Sequence, residues 1–268
     1  MLVAQDMINP EMSDTMQNQI LTELQAIEES RHVKIIYACE SGSRAWGFPS
    51  IDSDYDVRFI YVHPPNWYLS IEKGKEMIEN PIHDDLDING WDIRKTLGLL
   101  RKSNPPLFEW LASPIVYLEE KESMQLIHDL CPHVFSVPAG VYHYLGMAKT
   151  AYRKIEYSNQ VRIKTYLYAL RPLCAAKWIL SKASPPPVPF QQLLSETDLD
   201  DGLRQQIEEL LSQKVQSKES DEIPSVEALN VFIGTELKKY EQVQLEKHKQ
   251  PDVERFNRVF RQIINMKL

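Results

Sequence analysis

Long apolar runs are missing from this 268-residue chain. None approaches the roughly 20 residues that a helix needs to cross a bilayer. The opening string MLVAQDMINPEMSD carries acids and a proline where a secretory signal would have a basic patch and an apolar stretch. No signal peptide is read there, and the expected location is the cytoplasm. Cysteine is scarce. Cys39, Cys131 and Cys174 make an odd count with no C-x-x-C pair. That argues against a disulfide framework or a structural zinc site, and for reduced, partly buried thiols. Positive charge is in deficit, the net charge being −8. A protein that holds nucleic acid mainly through its phosphates is usually basic, so this chain needs a local basic cleft to hold RNA or DNA. A small-molecule or protein partner squares better with the overall charge. No Walker A spacing, G-x-G-x-x-G loop, G-x-S-x-G elbow or H-E-x-x-H pair occurs. The seven histidines are scattered; His83, near Asp84, Asp85 and Asp87, is the one to watch.

What is present is an ordinary globular balance, 43% hydrophobic and 25% charged, in a chain long enough for one large domain or two modest ones. Met16, Ile20, Leu24 and Ile27 make one stripe of a helix over 12–31, with Ser13 as its expected N-cap. VKIIYAC reads as a buried strand and DYDVRFIYV as a second. LDINGWDI reads as the end of a third, running into a helix over 92–102 that Asn104-Pro105-Pro106 stops. Helical patterns follow over 139–158 and 160–182, then a Pro-rich break at 184–189. Three more helices are expected near 191–213, 225–247 and 252–266. In the last, Pro251 suits the first turn, and Val253, Phe256, Phe260 and Ile263 share one face. The expected fold class is α+β: a small mixed-sheet domain over 1–125, then a helical bundle over 126–268, the boundary falling within 120–138.

Asp54 and Asp56 are two apart on the second strand, so their carboxylates share a face. Side by side they repel, and burying them unpaired is costly. A hard divalent cation resolves the conflict. Mg²⁺ takes oxygen ligands and is commonly shared between one or two carboxylates and substrate phosphates. Two such ions about 4 Å apart stabilise the attacking and leaving oxygens of an in-line displacement. Just upstream, Gly42-Ser43 follows a strand and opens a short helical turn, Arg44-Ala45-Trp46, closed by Gly47. Glycine lets the backbone approach a phosphate, and the amides there, with the serine hydroxyl, can donate to an anion.

Gly42-Ser43-Arg44-Ala45-Trp46-Gly47 followed by Ser53-Asp54-Tyr55-Asp56 resembles the signature of the DNA polymerase beta nucleotidyltransferase superfamily. SDYDVRFIYV, DINGWDIRKTLGLLRKSNPPLFEWL and KTYLYALRPLCAAKWIL are similar to one branch, that of nucleotidyltransferases related to RNA-repair-associated polymerase-beta-like proteins. The likeness covers most of the chain. It implies a polymerase beta-like catalytic domain followed by a helical domain that lines the nucleotide cleft. It implies a Mg²⁺-dependent transfer of a nucleoside monophosphate, by default AMP from ATP, to an acceptor hydroxyl with release of pyrophosphate. Asp54 and Asp56 would hold the metals, and a third carboxylate would help bind one ion and orient or deprotonate the acceptor. By position that third group resembles Asp87. Asp92 is the runner-up, standing where a helix N-cap is expected, and Asp84 and Asp85 stay open. The acceptor is open among an RNA end, a protein side chain and a small metabolite. A module that binds nucleotide without turning it over is the alternative on this fold, and a phosphohydrolase is a weaker one.

Arg58 continues the alternation 54, 56, 58, either to contact phosphate or to neutralise the aspartates. Arg44 either reaches phosphate or covers the turn. Lys164, Tyr168 and Arg171 fall at i, i+4 and i+7 on one helix face. Such a basic and aromatic stripe can bind a triphosphate and stack a base, and it equally fits a solvated face with a partly buried tyrosine. Lys149 and Tyr152 form a weaker pair of the same type, and Glu109 is a candidate support for the site.

Overall fold

The computed structural model describes residues 14–81, 85–240, 243–246 and 249–265; Ser13, His83 and Asp84 lie outside them. In chain order, α1 (Asp14–Arg31) leads into β1 (Lys34–Glu40), the short α2 (Gly42–Trp46), β2 (Tyr55–Val62) and α3 (Pro65–Tyr68). Then come β3 (Met77–Glu79), β4 (Leu86–Asp92), α4 (Ile93–Arg101), α5 (Pro105–Leu111), β5 (Val116–Glu119) and α6 (Lys121–His128). The five strands form a mixed sheet in the order β3-β4-β2-β1-β5, with β2 parallel to β4 and the other neighbours antiparallel. Period-two alternation splits β2 between two cores. Val57, Phe59 and Tyr61 pack with Ile20, Leu24 and Ile27 of α1, whereas Ile60 and Val62 face Leu97, Leu107 and Ile127 on the other side. The edge strands β3 and β5 hold too few residues for alternation to register in sequence.

The second half comprises α7 (Val137–Tyr152), β6 (Gln160–Arg162), α8 (Ile163–Lys182), α9 (Phe190–Ser195), α10 (Asp201–Gln216), β7 (Glu222–Pro224), α11 (Glu227–Tyr240) and α12 (Val253–Asn265). A third core is built from α7, α8, α9, α10 and α11, and Trp46 and Phe48 at the end of α2 insert into it. The fold is α+β, as expected.

Several expected boundaries move. The helix over 139–158 ends at Tyr152, and 160–162 leave the next helix to pair with β7. The helix over 191–213 is two, because Asp200 Oδ1 accepts from Leu203 N (2.9 Å) and starts α10 afresh. Asn104 does more than stop α4: its Oδ1 accepts from Leu107 N (3.1 Å) and caps α5, with Pro105 at its first position. In α12 the buried stripe is Phe256, Val259 and Ile263, Phe260 is partly buried, and Val253 is 48% exposed. That helix packs against α4 and α6 and so shares the core that holds Ile60. Among the described residues no helix is long and apolar enough to cross a membrane.

Candidate active site

The parallel register of β2 and β4 sets Asp56 beside Asp87 and Arg58 beside Asn89. All four side chains therefore leave the sheet on one face, near the start of both strands. Arg58 lies across the two acids. Its Nη2 donates to Asp56 Oδ1 (2.8 Å) and Asp87 Oδ2 (2.7 Å), and its Nη1 to the Asp87 carbonyl (2.8 Å). Asn89 Nδ2 donates to the other Asp87 oxygen (2.5 Å). Arg58 is thus the counter-ion of the acidic pair. Burial raises the Asp56 carboxyl above its ordinary range; Asp87 and Asp54 add to the rise, and Arg58 opposes it.

Asp54 falls in the loop one residue ahead of β2, not on the strand. Its side chain is exposed and makes no hydrogen bond among the described residues. Partial desolvation raises this carboxyl too, with Glu219 and Asp85 adding to the effect. Arg44 shapes the loop that presents it: Nη2 donates to the Ser53 carbonyl (2.7 Å), Nε to the Asp54 carbonyl (3.2 Å), and the guanidinium lies over the Tyr55 ring at 3.7 Å. In this arrangement Arg44 covers the turn.

Gly42 has φ +62°, and a Cβ placed there would stand 2.0 Å from Asp56 Oδ2. Only glycine meets both demands. Ser43 is buried in α2 behind it, and Gly47, at φ +85°, closes the turn. Beneath the turn lies Glu40, which sequence reasoning missed. It is fully buried at the end of β1; Oε1 accepts from Asp56 N (2.8 Å) and Oε2 from the Tyr117 hydroxyl. Burial pushes its carboxyl up to about 7 against the pull of those two donors. An acid ending an apolar strand next to Gly-Ser was the only signal.

The other acids separate cleanly. Asp92 caps α4: Oδ1 accepts from Arg94 N (2.8 Å) and Oδ2 from Tyr68 Oη (2.7 Å). It is fully buried, which pushes its carboxyl up to about 6, and it sits at the far end of β4 from Asp87. Asp85, at φ +63°, offers its carbonyl to Tyr55 N (2.7 Å) in the turn before β4.

A cavity of about 980 Å³ is lined in part by Lys154, Arg162, Lys164, Tyr168, His143 and Glu219; Asp54, Asp56, Asp87, Gly42 and Ser43 are not among its lining residues. Lys164 and Tyr168 of the expected stripe are there, and their neighbours include the acids: Lys164 acts on Asp54 and Asp56, and Asp56 acts on Tyr168. Arg171 is not among the lining residues. It turns inward, is 1% exposed, and pairs with Glu109 Oε1 (2.9 Å) while donating to the Val188 carbonyl. Glu109 also accepts from Tyr144 Oη (2.7 Å) and Trp46 Nε1 (3.0 Å). That network joins α2 and α5 to α7 and α8. Lys149 and Tyr152 do not line the cavity; Tyr152 Oη lies against Gly234 of α11.

Asp54, Asp56 and Asp87 supply only oxygen donors, the set a hard divalent cation takes and a thiol- or imidazole-seeking one does not. Among the described residues no three acid, histidine or cysteine side chains converge as a ready cage, and Arg58 stands between Asp56 and Asp87. The chemistry of the donors fits the ion, provided Arg58 yields.

A family model described as the RNA repair pathway DNA polymerase beta family matches residues 16–262. The chain belongs to that family. Over 224 residues it is 47% identical to the uncharacterized protein YcgL of Bacillus subtilis (strain 168), covering 84% of this chain and 86% of that one. It is also similar to the crystal structure of a nucleotidyltransferase-like protein from Exiguobacterium sibiricum 255-15, at 10% identity and TM-score 0.32, over 92% of this chain and 79% of the other. For a polymerase beta family member the expected reaction class is nucleotidyl transfer, with a nucleotide as substrate. The Gly42-Ser43 turn and the acids on β2 and β4 are the features of this chain that resemble the family's catalytic signature.

Proposed function

We propose that the chain transfers a nucleoside monophosphate from a nucleoside triphosphate to an acceptor hydroxyl, releasing pyrophosphate, in a Mg²⁺-dependent reaction in the cytoplasm. The observation that carries the reading is the parallel pairing of Asp56 with Asp87, beside Asp54 and against Gly42. Asp54 and Asp56 are the residues that would hold the metal, joined by Asp87. When bound, such an ion neutralises phosphate charge and polarises the phosphoryl group. Asp87, fixed at both oxygens by Arg58 and Asn89, is placed to orient the acceptor hydroxyl or take its proton once one of those bonds opens. Lys164 meets the phosphates and Tyr168 offers a ring to the base. ATP is the default donor. The sheet with α1 to α6 and α12 serves as the catalytic unit and α7 to α11 as the helical unit that completes the cleft, since α12 and the whole of α6 share the core of Ile60. The acceptor class stays open among RNA ends, protein hydroxyls and small metabolites.

A second reading, nucleotide binding without turnover, has one observation in its favour: Arg58 and Asn89 already occupy both oxygens of Asp87. One experiment separates the two. Each triphosphate, labelled at its α-phosphate, is incubated with protein, Mg²⁺ and candidate acceptors, beside Asp54→Asn and Asp56→Asn. Metal-dependent acceptor labelling with pyrophosphate release, lost in both variants, is the expected result. Metal-dependent binding with no pyrophosphate from any acceptor favours the binding module, and transfer that survives both substitutions removes the metal assignment.

A further inference from the structure

Three observations converge on the loop between α10 and β7. First, Glu219 lines the cavity and its carboxylate takes Lys164 Nζ (2.5 Å) and the Ser53 hydroxyl (3.3 Å). Second, the Glu219 backbone is pinned independently of its side chain. Its N–H donates to Asp52 Oδ1 (2.8 Å), and the nearby Ser217 carbonyl accepts from Ile51 N (3.2 Å). The side chain itself is 32% exposed, so a rotamer change can carry the carboxylate out to water without moving the loop. Third, Lys214 of α10 is 1% exposed and its Nζ has no hydrogen-bond partner among the described residues. The charges that act on it are Glu219, Lys164, Asp52 and Asp221. An ammonium buried without a partner is costly, and an anion entering beside it would meet a donor that nothing else uses.

We propose that Ser53, Lys164 and Lys214 form a polyphosphate subsite around the place where the Glu219 carboxylate now sits, Lys164 and Glu219 at the cavity surface and Ser53 and Lys214 buried behind them, and that this carboxylate is an internal stand-in, displaced when the ligand's phosphates arrive. This rests on the nucleotidyltransferase reading, and it assigns the site's regulation: the chain's own carboxylate holds the phosphate donors Lys164 and Ser53 until a ligand replaces it. Glu219 also adds to the repulsion at Asp54, so its departure removes a negative charge from beside that acid as phosphate replaces it. Two ammonium groups beside a hydroxyl donor suit the triphosphate tail of a nucleotide or free pyrophosphate.

The test is calorimetric titration of inorganic pyrophosphate and of each nucleoside triphosphate, with Mg²⁺, into wild type, Glu219→Gln, Glu219→Ala, Lys214→Met and Asp54→Asn/Asp56→Asn. Folding of each variant is checked by its unfolding midpoint; Lys214→Met exchanges an orphaned ammonium for an apolar chain of similar size and keeps the fold. Both Glu219 variants are expected to bind pyrophosphate and triphosphate about five- to tenfold tighter than wild type, since one like charge leaves the site. Lys214→Met is expected to bind at least about fivefold more weakly. Equal or weaker binding in both Glu219 variants, or unchanged binding in Lys214→Met, overturns the stand-in. If wild type binds triphosphate, Asp54→Asn/Asp56→Asn does not, and Glu219→Gln is without effect, the stand-in falls and the nucleotidyltransferase reading survives. If Glu219→Gln gains pyrophosphate but no protein binds a triphosphate, the anion subsite stands and the nucleotide reading falls. Silence from every protein with every probe overturns both.

Discussion

Replacing Glu109 by alanine should be among the most damaging single changes in this chain. Glu109 serves Arg171 Nη1, Tyr144 Oη and Trp46 Nε1 at once, and Arg171 is 1% exposed with the Val188 carbonyl as its one other acceptor among the described residues. Breaking a buried ion pair from one side leaves an uncompensated charge and costs about 3–5 kcal/mol. The orphaned tyrosine and tryptophan donors add to this, and water entering the vacated space offsets part of it. We expect about 4 kcal/mol for Glu109→Ala, a large share of the roughly 5–15 kcal/mol typical of a folded domain. Glu109→Gln keeps an acceptor but loses the charge and should cost about 2 kcal/mol. Glu109→Leu with Arg171→Met removes both charges and should recover most of the loss. The assay is urea unfolding followed by tryptophan fluorescence, with Trp46 as local reporter, and by far-ultraviolet circular dichroism. Burial opposes ionisation of Glu109, yet Arg171 and the two donors outweigh it and hold the carboxyl below its ordinary range. With the folded value depressed, the stabilisation is fully present above the ordinary carboxylate range and is lost as pH falls through the lowered value. The gap between wild type and Glu109→Ala should therefore be full at neutral pH and narrow only in acid. A loss below about 1 kcal/mol, the worth of one ordinary hydrogen bond, or a double variant no better than Glu109→Ala, would refute the reasoning.

Gly42→Ala must both hold φ +62° and clear Asp56 Oδ2, 2.0 Å from the new Cβ, so it should lose about 2–3 kcal/mol and displace Asp56; Gly47→Ala, with φ +85° but open space, should lose about 1 kcal/mol in the same unfolding assay. Arg58→Met leaves Asp56 and Asp87 side by side without their counter-ion and should cost about 2 kcal/mol at pH 7. That loss should shrink in acid, where the Asp56 carboxyl, raised by burial, protonates, as unfolding at pH 7 and pH 3.5 will show. Burial lowers His63, stacked on Trp67 at 3.8 Å, to about 4. Its folded value lies below the unfolded one, so the stability it permits is full above about pH 6.5 and lost as pH falls toward 4; wild type should lose more stability than His63→Phe between pH 7 and pH 4.5. Lys214→Met should stabilise the protein by about 1 kcal/mol, because it removes an ammonium buried without a partner.

The elements legible in sequence were those whose signal is local. The strands β1 and β2 came from uninterrupted β-rich runs, α12 from its apolar stripe, and α+β from the change of pattern after residue 120. Pairings between short segments were not legible: β3, β5, β6 and β7 are three or four residues each, too short for a period to register. The split of 191–213 into α9 and α10 was hidden because the apolar spacing continues through a break that Asp200 and its cap create.

The candidate site divides in the same way. Sequence by itself determined that Gly42-Ser43 opens a turn and that Asp56 and Arg58 share a face, because backbone geometry alone dictates those relations. For Asp92 it offered a helix cap beside a third site carboxylate, since a cap needs only its own helix, and left the two open. Tertiary structure alone decided that Asp87 stands beside Asp56, since that requires the parallel register of β2 and β4. It decided that Arg171 turns into the core, because Glu109 and the Val188 carbonyl lie within its reach there, while Lys164 and Tyr168 of the same face meet the cavity. Glu40, Lys214 and Glu219 gain their meaning only from what they touch or fail to touch. A buried charge is defined by its surroundings, and those come from elements remote in sequence, so no spacing along the chain announces them.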